Sequence, residues 1–395
     1  MRAIADLERD LARRRAEGLA RERRIVESPQ GAQIRVGERT LLAFASNDYL
    51  GLANAPALIA AARDAALRWG IGAGASHLIV GHAAAHAALE DELAAFVAPC
   101  AEARALTFSS GYLANLAILP ALASRRDAIF ADRLNHACLT DGALLSRASL
   151  IRYRHADLAH LEQALAATRA RRKLIVTDAV FSMDGDIAPL PELLRLANAH
   201  DAWLVVDDAH GFGVLGEGRG SLAHFDIGSE RIVYMGTLGK AAGVAGAFVA
   251  AHPSVIETLV QSARSYVYTT AAPPLLAETL RAALAAIRDG AGRRARLAEL
   301  IAAFRRASGE WPWKLLPSSS TNEADTCTIA SLRRLGRSYQ ASKLSVIGVL
   351  MALNWLPLAL SVTKSNFSLS LPVGGVTMPP VACLMTRVVA TTRTG

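Results

Sequence analysis

The chain has 395 residues, 52% hydrophobic and 20% charged, a globular composition with material for two or three domains and no disordered character. Its net charge of +8 is uneven: residues 321–395 hold seven Lys and Arg against two acids, while the main body is nearly balanced and has no basic stripe interleaved with aromatics, so no nucleic-acid partner is expected. The four cysteines form no CxxC pair and residues 1–24 carry eight Arg and five acids with no apolar stretch, which argues against a zinc site, a disulfide framework and a secretory signal, and fits a reducing cytoplasm.

In chain order, residues 1–20 read as an amphipathic helix, with Ile4, Leu7 and Leu11 at helical spacing and Gly18 loosening its end. Residues 55–69 and 83–97 are helical in pattern, and the glycine-rich stretch 70–76 between them predicts a flexible loop. From about 104, short apolar runs alternate with helical stretches. The runs are 105–108, 128–131, 174–177, 203–206, 232–235 and 247–250; the helices are 111–123, 156–170 and 189–199. Uninterrupted apolar strands separated by helices predict an α/β fold with a mainly parallel sheet covered on both faces. One long helical pattern follows over 274–307, and no internal repeat is visible.

The composition changes near 320. From Thr326 to Gly395 there is no Asp or Glu. Residues 344–363 are 20 consecutive uncharged residues, long enough to cross a bilayer. Asn354 and Pro357 interrupt them, and nothing before 320 suggests a membrane protein, so no membrane association is expected.

Three segments carry chemistry. Thr237-Leu238-Gly239-Lys240 follows an apolar run; a lysine on a tight loop at a strand's end can project into a cleft, where burial lowers its pKa and allows a Schiff base, although a surface Gly-Lys reads the same way. The run 203–206 ends in Asp207-Asp208-Ala209-His210-Gly211, placing ionisable groups at the carboxyl edge of the sheet, where α/β folds bind ligands; a loop cap and a structural histidine are the alternative. Ser109-Ser110-Gly111-Tyr112 opens a helix after a strand, and its backbone N–H groups can face a phosphate, with an ordinary helix cap as the alternative. Together they describe one site: phosphate at a helix N-terminus, a carboxylate for a pyridine nitrogen, and a lysine for an aldehyde, the arrangement that holds pyridoxal phosphate. No metal is expected.

Asn47-Asp48-Tyr49-Leu50-Gly51-Leu52, Phe181-Ser182-Met183-Asp184-Gly185-Asp186, the 207–211 segment and Thr237-Leu238-Gly239-Lys240 resemble the α-oxoamine synthases over about residues 18–318. The resemblance implies fold type I of the pyridoxal-phosphate-dependent transferases (aspartate-aminotransferase-like). It divides the chain into an N-terminal helix and arm (1–45), a large cofactor-binding domain (46–275) and a small C-terminal domain (276–395), atypical after about 320. Ala209-His210-Gly211 and Gly81-His82 resemble the branch of biotin biosynthesis, which condenses L-alanine with a pimeloyl thioester of CoA or an acyl carrier protein. The glycine-acetyltransferase and aminolevulinate-synthase branches more often show Gly-Thr at the latter place. Glycine C-acetyltransferase therefore stays open, as does a catalytically impaired cofactor-binding protein.

The resemblance also implies roles. Lys240 joins the cofactor and later moves the Cα proton, Asp207 keeps the pyridine nitrogen protonated, and His136 stacks on the ring. His210 and Ser182 hydrogen-bond the ring oxygen. Gly111, Tyr112 and Thr237 hold cofactor or phosphate. Thr269 and Thr270 reach the phosphate of a partner subunit in a homodimer. Arg21, Asn47 and His136 face substrate; for Arg21, plain helix surface is the alternative. His77, His82 and His86 are left as structural or surface residues. Relatives continue past 320 with an Arg for the amino-acid carboxylate and a Pro-rich, Thr-containing loop, and neither is found in 321–395. A reading-frame change, a true replacement and a membrane anchor at 344–363 are the three explanations, the first accounting best for the abrupt loss of acids.

Overall fold

Strands β3 (Arg104–Phe108), β4 (Ala128–Asp132), β5 (Ser149–Tyr153), β6 (Lys173–Asp178), β7 (Ala202–Asp207), β8 (Ile232–Thr237) and β9 (Ala247–Ala251) form one sheet in the order β3-β9-β8-β7-β6-β4-β5. All neighbours are parallel except β9, which runs antiparallel to both β3 and β8. The computed structural model describes residues 2–308, 315–316 and 328–329. Apart from residues 328–329, the expectations for 321–395, including the 344–363 segment and the missing arginine, lie outside the described residues. Among the described residues no helix is long and apolar enough to cross a membrane.

The central strands are buried on both faces, and their side chains alternate between two cores. Ile175, Leu204, Val206, Ile232, Tyr234 and Phe248 point to one side; Leu174, Val176, Val205, Val233, Met235 and Val249 point to the other. The first core is covered by α2 (Pro56–Trp69), α3 (Ala84–Val97), α6 (Leu158–Ala167), α7 (Leu190–Ala199), α11 (Pro274–Arg288) and α12 (Ala291–Ser308). The second lies under α4 (Gly111–Leu122), α5 (Ala137–Ser146), α9 (Pro253–Ser262) and α10 (Arg264–Val267). A short helix α8 (Ser221–His224) precedes β8. At the N-terminus, α1 (Arg2–Ala16) leads through an exposed arm to the hairpin β1–β2 (Gln33–Val36, Arg39–Leu42).

The mainly parallel α/β architecture read from the apolar runs is present. The single long helix expected over 274–307 is two helices, because the chain breaks at Asp289-Gly290 before α12 starts. Residues 70–76 lead into a wide turn, His77–Gly81, under which the backbone folds back closely. A Cβ on Gly81 would lie 2.1 Å from the Ala75 carbonyl oxygen, so only glycine fits there.

Candidate active site

The carboxyl ends of β6, β7 and β8 open into a cavity of about 200 Å³. Of the expected site residues, Gly111, Tyr112, His136, Ser182, Asp207, His210, Thr237 and Lys240 line it, and Cys138, Asp178, Ala209 and Met235 join them.

Asp207 is buried at the end of β7. Its Oδ2 accepts a hydrogen bond from Asn115 Nδ2 at 2.7 Å and its Oδ1 accepts from the Ala209 N–H at 3.0 Å. Asp178, its register partner on β6, is buried too and accepts from the His136 N–H at 2.8 Å. Burial raises both carboxyl pKa values. Each charge also disfavours the other, while the Lys240 ammonium and the Asn115 amide pull Asp207 back toward ionisation. A buried acidic pair of this kind favours any cation placed against it.

Lys240 lies on the loop after β8, and burial lowers its pKa against the opposing pull of Asp207 and Asp178. Its Nζ is 2.8 Å from His210 Nε2. His210 Nδ1 is in turn 2.6 Å from the buried Tyr49 hydroxyl, which reaches Asn47 Oδ1 at 3.3 Å. Burial, then the Lys240 charge, holds His210 well below the usual histidine range, so its ring is neutral. A neutral ring accepting from Lys240 at Nε2 donates from Nδ1 to Tyr49, whose own proton then points to Asn47.

The neighbouring Asp208 has a different job. It accepts from Ser221 Oγ at 2.5 Å, the Ser221 N–H at 2.6 Å and the Tyr234 hydroxyl at 2.8 Å. Burial pushes its pKa up to about 6. A Cβ on Gly211 would meet its carboxylate at 2.1 Å, so this glycine serves the tight turn around Asp208.

At the other wall, Ser110 caps α4 by accepting from the Leu113 N–H at 3.3 Å, which leaves Gly111 and Tyr112 at the cavity. A Cβ at Gly111 would point toward Met235 and Thr237 Oγ1, at 3.6 and 3.9 Å, and occupy space that glycine leaves free. The Tyr112 hydroxyl donates to Asp141 at 2.5 Å. His136 caps α5, with its Nδ1 2.8 Å from Cys138 Sγ; burial, then Asp207, pushes that thiol up to about 12, so it is a neutral group fixing the ring.

Asn47 is exposed and, among the described residues, connects to the cavity through Tyr49. Arg21 is exposed on the arm before β1, and Thr269 and Thr270 lie at the bridge between Ser76 and Thr270; the structure brings none of these three to the cavity. Sequence reasoning missed Asn115, Asp178, Cys138 and Tyr49. Asn115 was visible as the lone polar side chain at the heart of the apolar helix Gly111–Leu122.

The donor set fits pyridoxal phosphate: an anion cradle at Gly111, Tyr112 and Thr237, a buried carboxylate fixed by an amide, and a largely buried lysine face one cavity. The class I and II aminotransferase family matches residues 39–321. An 8-amino-7-oxononanoate synthase of Nitrosospira multiformis is 60% identical over 303 residues, 76% of this chain and 76% of its own length. Among solved structures, serine palmitoyltransferase from S. paucimobilis with a bound PLP–myriocin aldimine superposes with a TM-score of 0.75 at 26% identity, covering 83% of this chain and 85% of that one. An 8-amino-7-oxononanoate synthase from Francisella tularensis superposes at 0.62 with 33% identity, covering 73% and 81%.

Proposed function

The chain belongs to the 8-amino-7-oxononanoate synthase family within the class I and II aminotransferases, and from that premise we propose that it joins L-alanine to a pimeloyl thioester in biotin biosynthesis. A bond forms between the alanine Cα and the thioester carbonyl carbon, the C–S bond breaks, and carbon dioxide and the thiol carrier leave. The enzyme is a pyridoxal-phosphate-dependent acyltransferase. When bound, the cofactor supplies an electron sink for charge developing at Cα.

The chain's own residues divide the remaining work. Lys240 would be the amine that meets the cofactor aldehyde and would later carry the proton at Cα; burial lowers its pKa against the pull of Asp207 and Asp178. Asp207 holds a proton at the pyridine nitrogen, and Asn115 keeps the carboxylate aimed. Of the residues lining the cavity, Gly111, Tyr112 and Thr237 would hold the phosphate, His136 would cover the ring, and His210 and Ser182 would face the ring oxygen. Asn47 and Arg21 are assigned to substrate. The domain division stays at 1–45, 46–275 and 276–395, and the location is cytoplasmic.

Thr269 and Thr270 serve a neighbouring subunit in a homodimer. The exposed Ile79, Val80 and Tyr268 beside their bridge to Ser76 support a covered face there. A sedimentation measurement giving a cofactor-loaded monomer at micromolar concentration counts against the dimer.

The observation that carries the reading is the buried Asp207–Asn115 pair sharing a cavity with Lys240. Turnover is measured with L-alanine against glycine and with pimeloyl against acetyl thioesters, carried on CoA and on acyl carrier protein. Preference for L-alanine and pimeloyl supports the reading; preference for glycine and acetyl replaces it with glycine C-acetyltransferase. A second reading, cofactor binding with impaired catalysis, is favoured by the family match ending at residue 321, where the acids disappear.

A further inference from the structure

His155 follows β5 at the rim of the sheet, outside the cavity lining. Its Nδ1 is 3.0 Å from Asp132 Oδ1 and its Nε2 is 2.8 Å from Asp186 Oδ2. Both carboxylates are buried, and the ring lies edge-on to Phe181 with centroids 4.5 Å apart. A neutral imidazole has one N–H, so it can donate to only one of the two; both are satisfied only when both nitrogens carry protons.

The two carboxylates belong to different walls of the cavity. Asp132 ends β4 and organises the turn that presents His136: it also accepts from the Leu134 N–H at 2.8 Å and the Ala156 N–H at 2.9 Å. Asp186 closes the loop that presents Ser182. Its carbonyl accepts from the Phe181 N–H at 3.0 Å, and the Val180–Ile187 bridge ties the loop's base. Among the described residues the Asp186 Oδ1 is buried without a hydrogen-bond partner, and His155 is the one hydrogen-bond partner of that side chain.

We propose that His155 is a positioning residue: as an imidazolium bridging Asp132 and Asp186, it fixes the His136 turn and the Ser182 loop against each other and so sets the width of the cofactor cavity. The assignment rests on the reading of the cavity given above. Burial opposes the charge, but the hydrogen bonds to Asp132 and Asp186 outweigh it and raise the pKa to about 10. Of the charged groups in the adjoining segments, Arg152 donates to the Arg133 carbonyl, Arg154 pairs with Asp157, the His160 ring takes the Arg154 N–H and Asp178 accepts from the His136 N–H; Arg133 and Asp184 stand in the two clamped loops themselves. The clamp is thus present through the neutral range and released as pH rises through about 10, when the ring can keep only one carboxylate.

The test compares the full chain with His155→Phe and His155→Gln. Pyridoxal phosphate affinity is titrated on the apoprotein, and amide exchange is followed in 133–136, 181–187 and β7. The expected result for His155→Phe is roughly tenfold weaker cofactor binding, the scale of outer-shell losses in bound-group sites, with protection lost in the two loops and kept in β7. His155→Gln, which keeps a neutral donor, falls between. In the unsubstituted chain, loop protection and cofactor affinity fall together near pH 10, a step both variants lack. Cofactor affinity within about twofold of the parent's with both loops still protected overturns the proposal, as does loss of protection spread evenly over the sheet. If the unsubstituted chain binds no pyridoxal phosphate, the cavity reading fails, and loop exchange alone decides the clamp. Where His155→Phe does not fold, the alkaline titration of the unsubstituted chain decides, and absence of the step near pH 10 is the negative result.

Discussion

At the carboxyl ends of β6, β7 and β8, two buried aspartates face a lysine; under the wide turn at 77–81, three histidines face one another. His77 Nδ1 lies 3.0 Å from His82 Nδ1, His77 stacks on Tyr266 with centroids 5.0 Å apart, and His86 is held by the Ala83 N–H and the Ala272 carbonyl. Burial lowers the pKa of all three histidines, and the neighbouring rings lower those of His77 and His82 further, His77 to about 4. The nearby acid, Glu90, accepts from the Thr107 N–H and hydroxyl at Oε1, its Oε2 lies 3.8 Å from His82 Nε2, and burial raises its pKa to about 7. Density of titratable groups is similar in the two places. What separates them is sign: opposed charges at the sheet edge keep a proton available for transfer, while like rings under the turn stay neutral and pack.

The largest effect expected from breaking that contrast is at Lys240. Lys240→Ala removes the cation between the two aspartates, and turnover falls by about 10⁴-fold or more. Borohydride treatment followed by peptide mapping then tags no lysine; a tag elsewhere in the unsubstituted chain relocates the site.

The second test adds a charge that the site is expected to need. The family resemblance implies an arginine after residue 320 for the amino-acid carboxylate, and the expected pattern is not found in the sequence of 321–395. Restoring the tail from the alternative reading frame is expected to raise turnover with L-alanine and pimeloyl thioester about a hundredfold, from orientation together with a charge-assisted contact of about 1.5–3 kcal/mol. Equal turnover in the two chains shows that the tail as written supplies what the family's small domain does.

Much of the site was legible because its chemistry is written at strand ends. Asp207, Lys240 and Gly111 each close or follow an uninterrupted apolar run, a pattern that survives without knowing the fold. Asp178 was not legible, since its importance lies in standing opposite Asp207, and register is a property of the folded sheet. Tyr49 and His210 are joined across 161 residues of sequence, which no local pattern reports. Strand β5 escaped notice because Ser-Leu-Ile-Arg-Tyr at the sheet's edge is only partly buried, and α5 because Thr140, Asp141 and Gly142 interrupt its apolar positions. Local pattern alone does not separate Asp207 from Asp208, and it was the family resemblance that singled out Asp207; strand alternation sends Asp207 to the cavity and Asp208 to Ser221 and Tyr234.

A smaller effect is expected from Asn115→Ala. It leaves a buried carboxylate short of a donor, at a cost of about 1–3 kcal/mol. Roughly tenfold weaker cofactor binding is expected, read by titrating the apoprotein. Unchanged affinity means that Ala209 alone aims Asp207.

The smallest effect lies with the histidines. The folded-state pKa of His77, near 4, is below its ordinary 6.5, so the unfolded chain takes up the proton first as pH falls. Stability from this group is present above about 6.5 and lost on the way to 4, by about 1–2 kcal/mol after allowance for solvent screening. His77→Phe, which keeps a ring against Tyr266, is expected to flatten that acid limb in urea titrations. A limb of unchanged steepness assigns it to other groups.

Strand β9 is the last strand of the large sheet to be synthesised, yet it lies between β3 and β8: Phe108 pairs with Ala247 and Arg104 with Ala251. While the ribosome is still working through the intervening residues, β3 has no strand beside it, and the Gly111 wall of the cavity has no fixed distance from Asp207. The nascent protein therefore carries an unpaired apolar strand while residues 109–246 are being added. Such high contact order slows folding and exposes the chain to aggregation and chaperone capture until residue 251 has emerged.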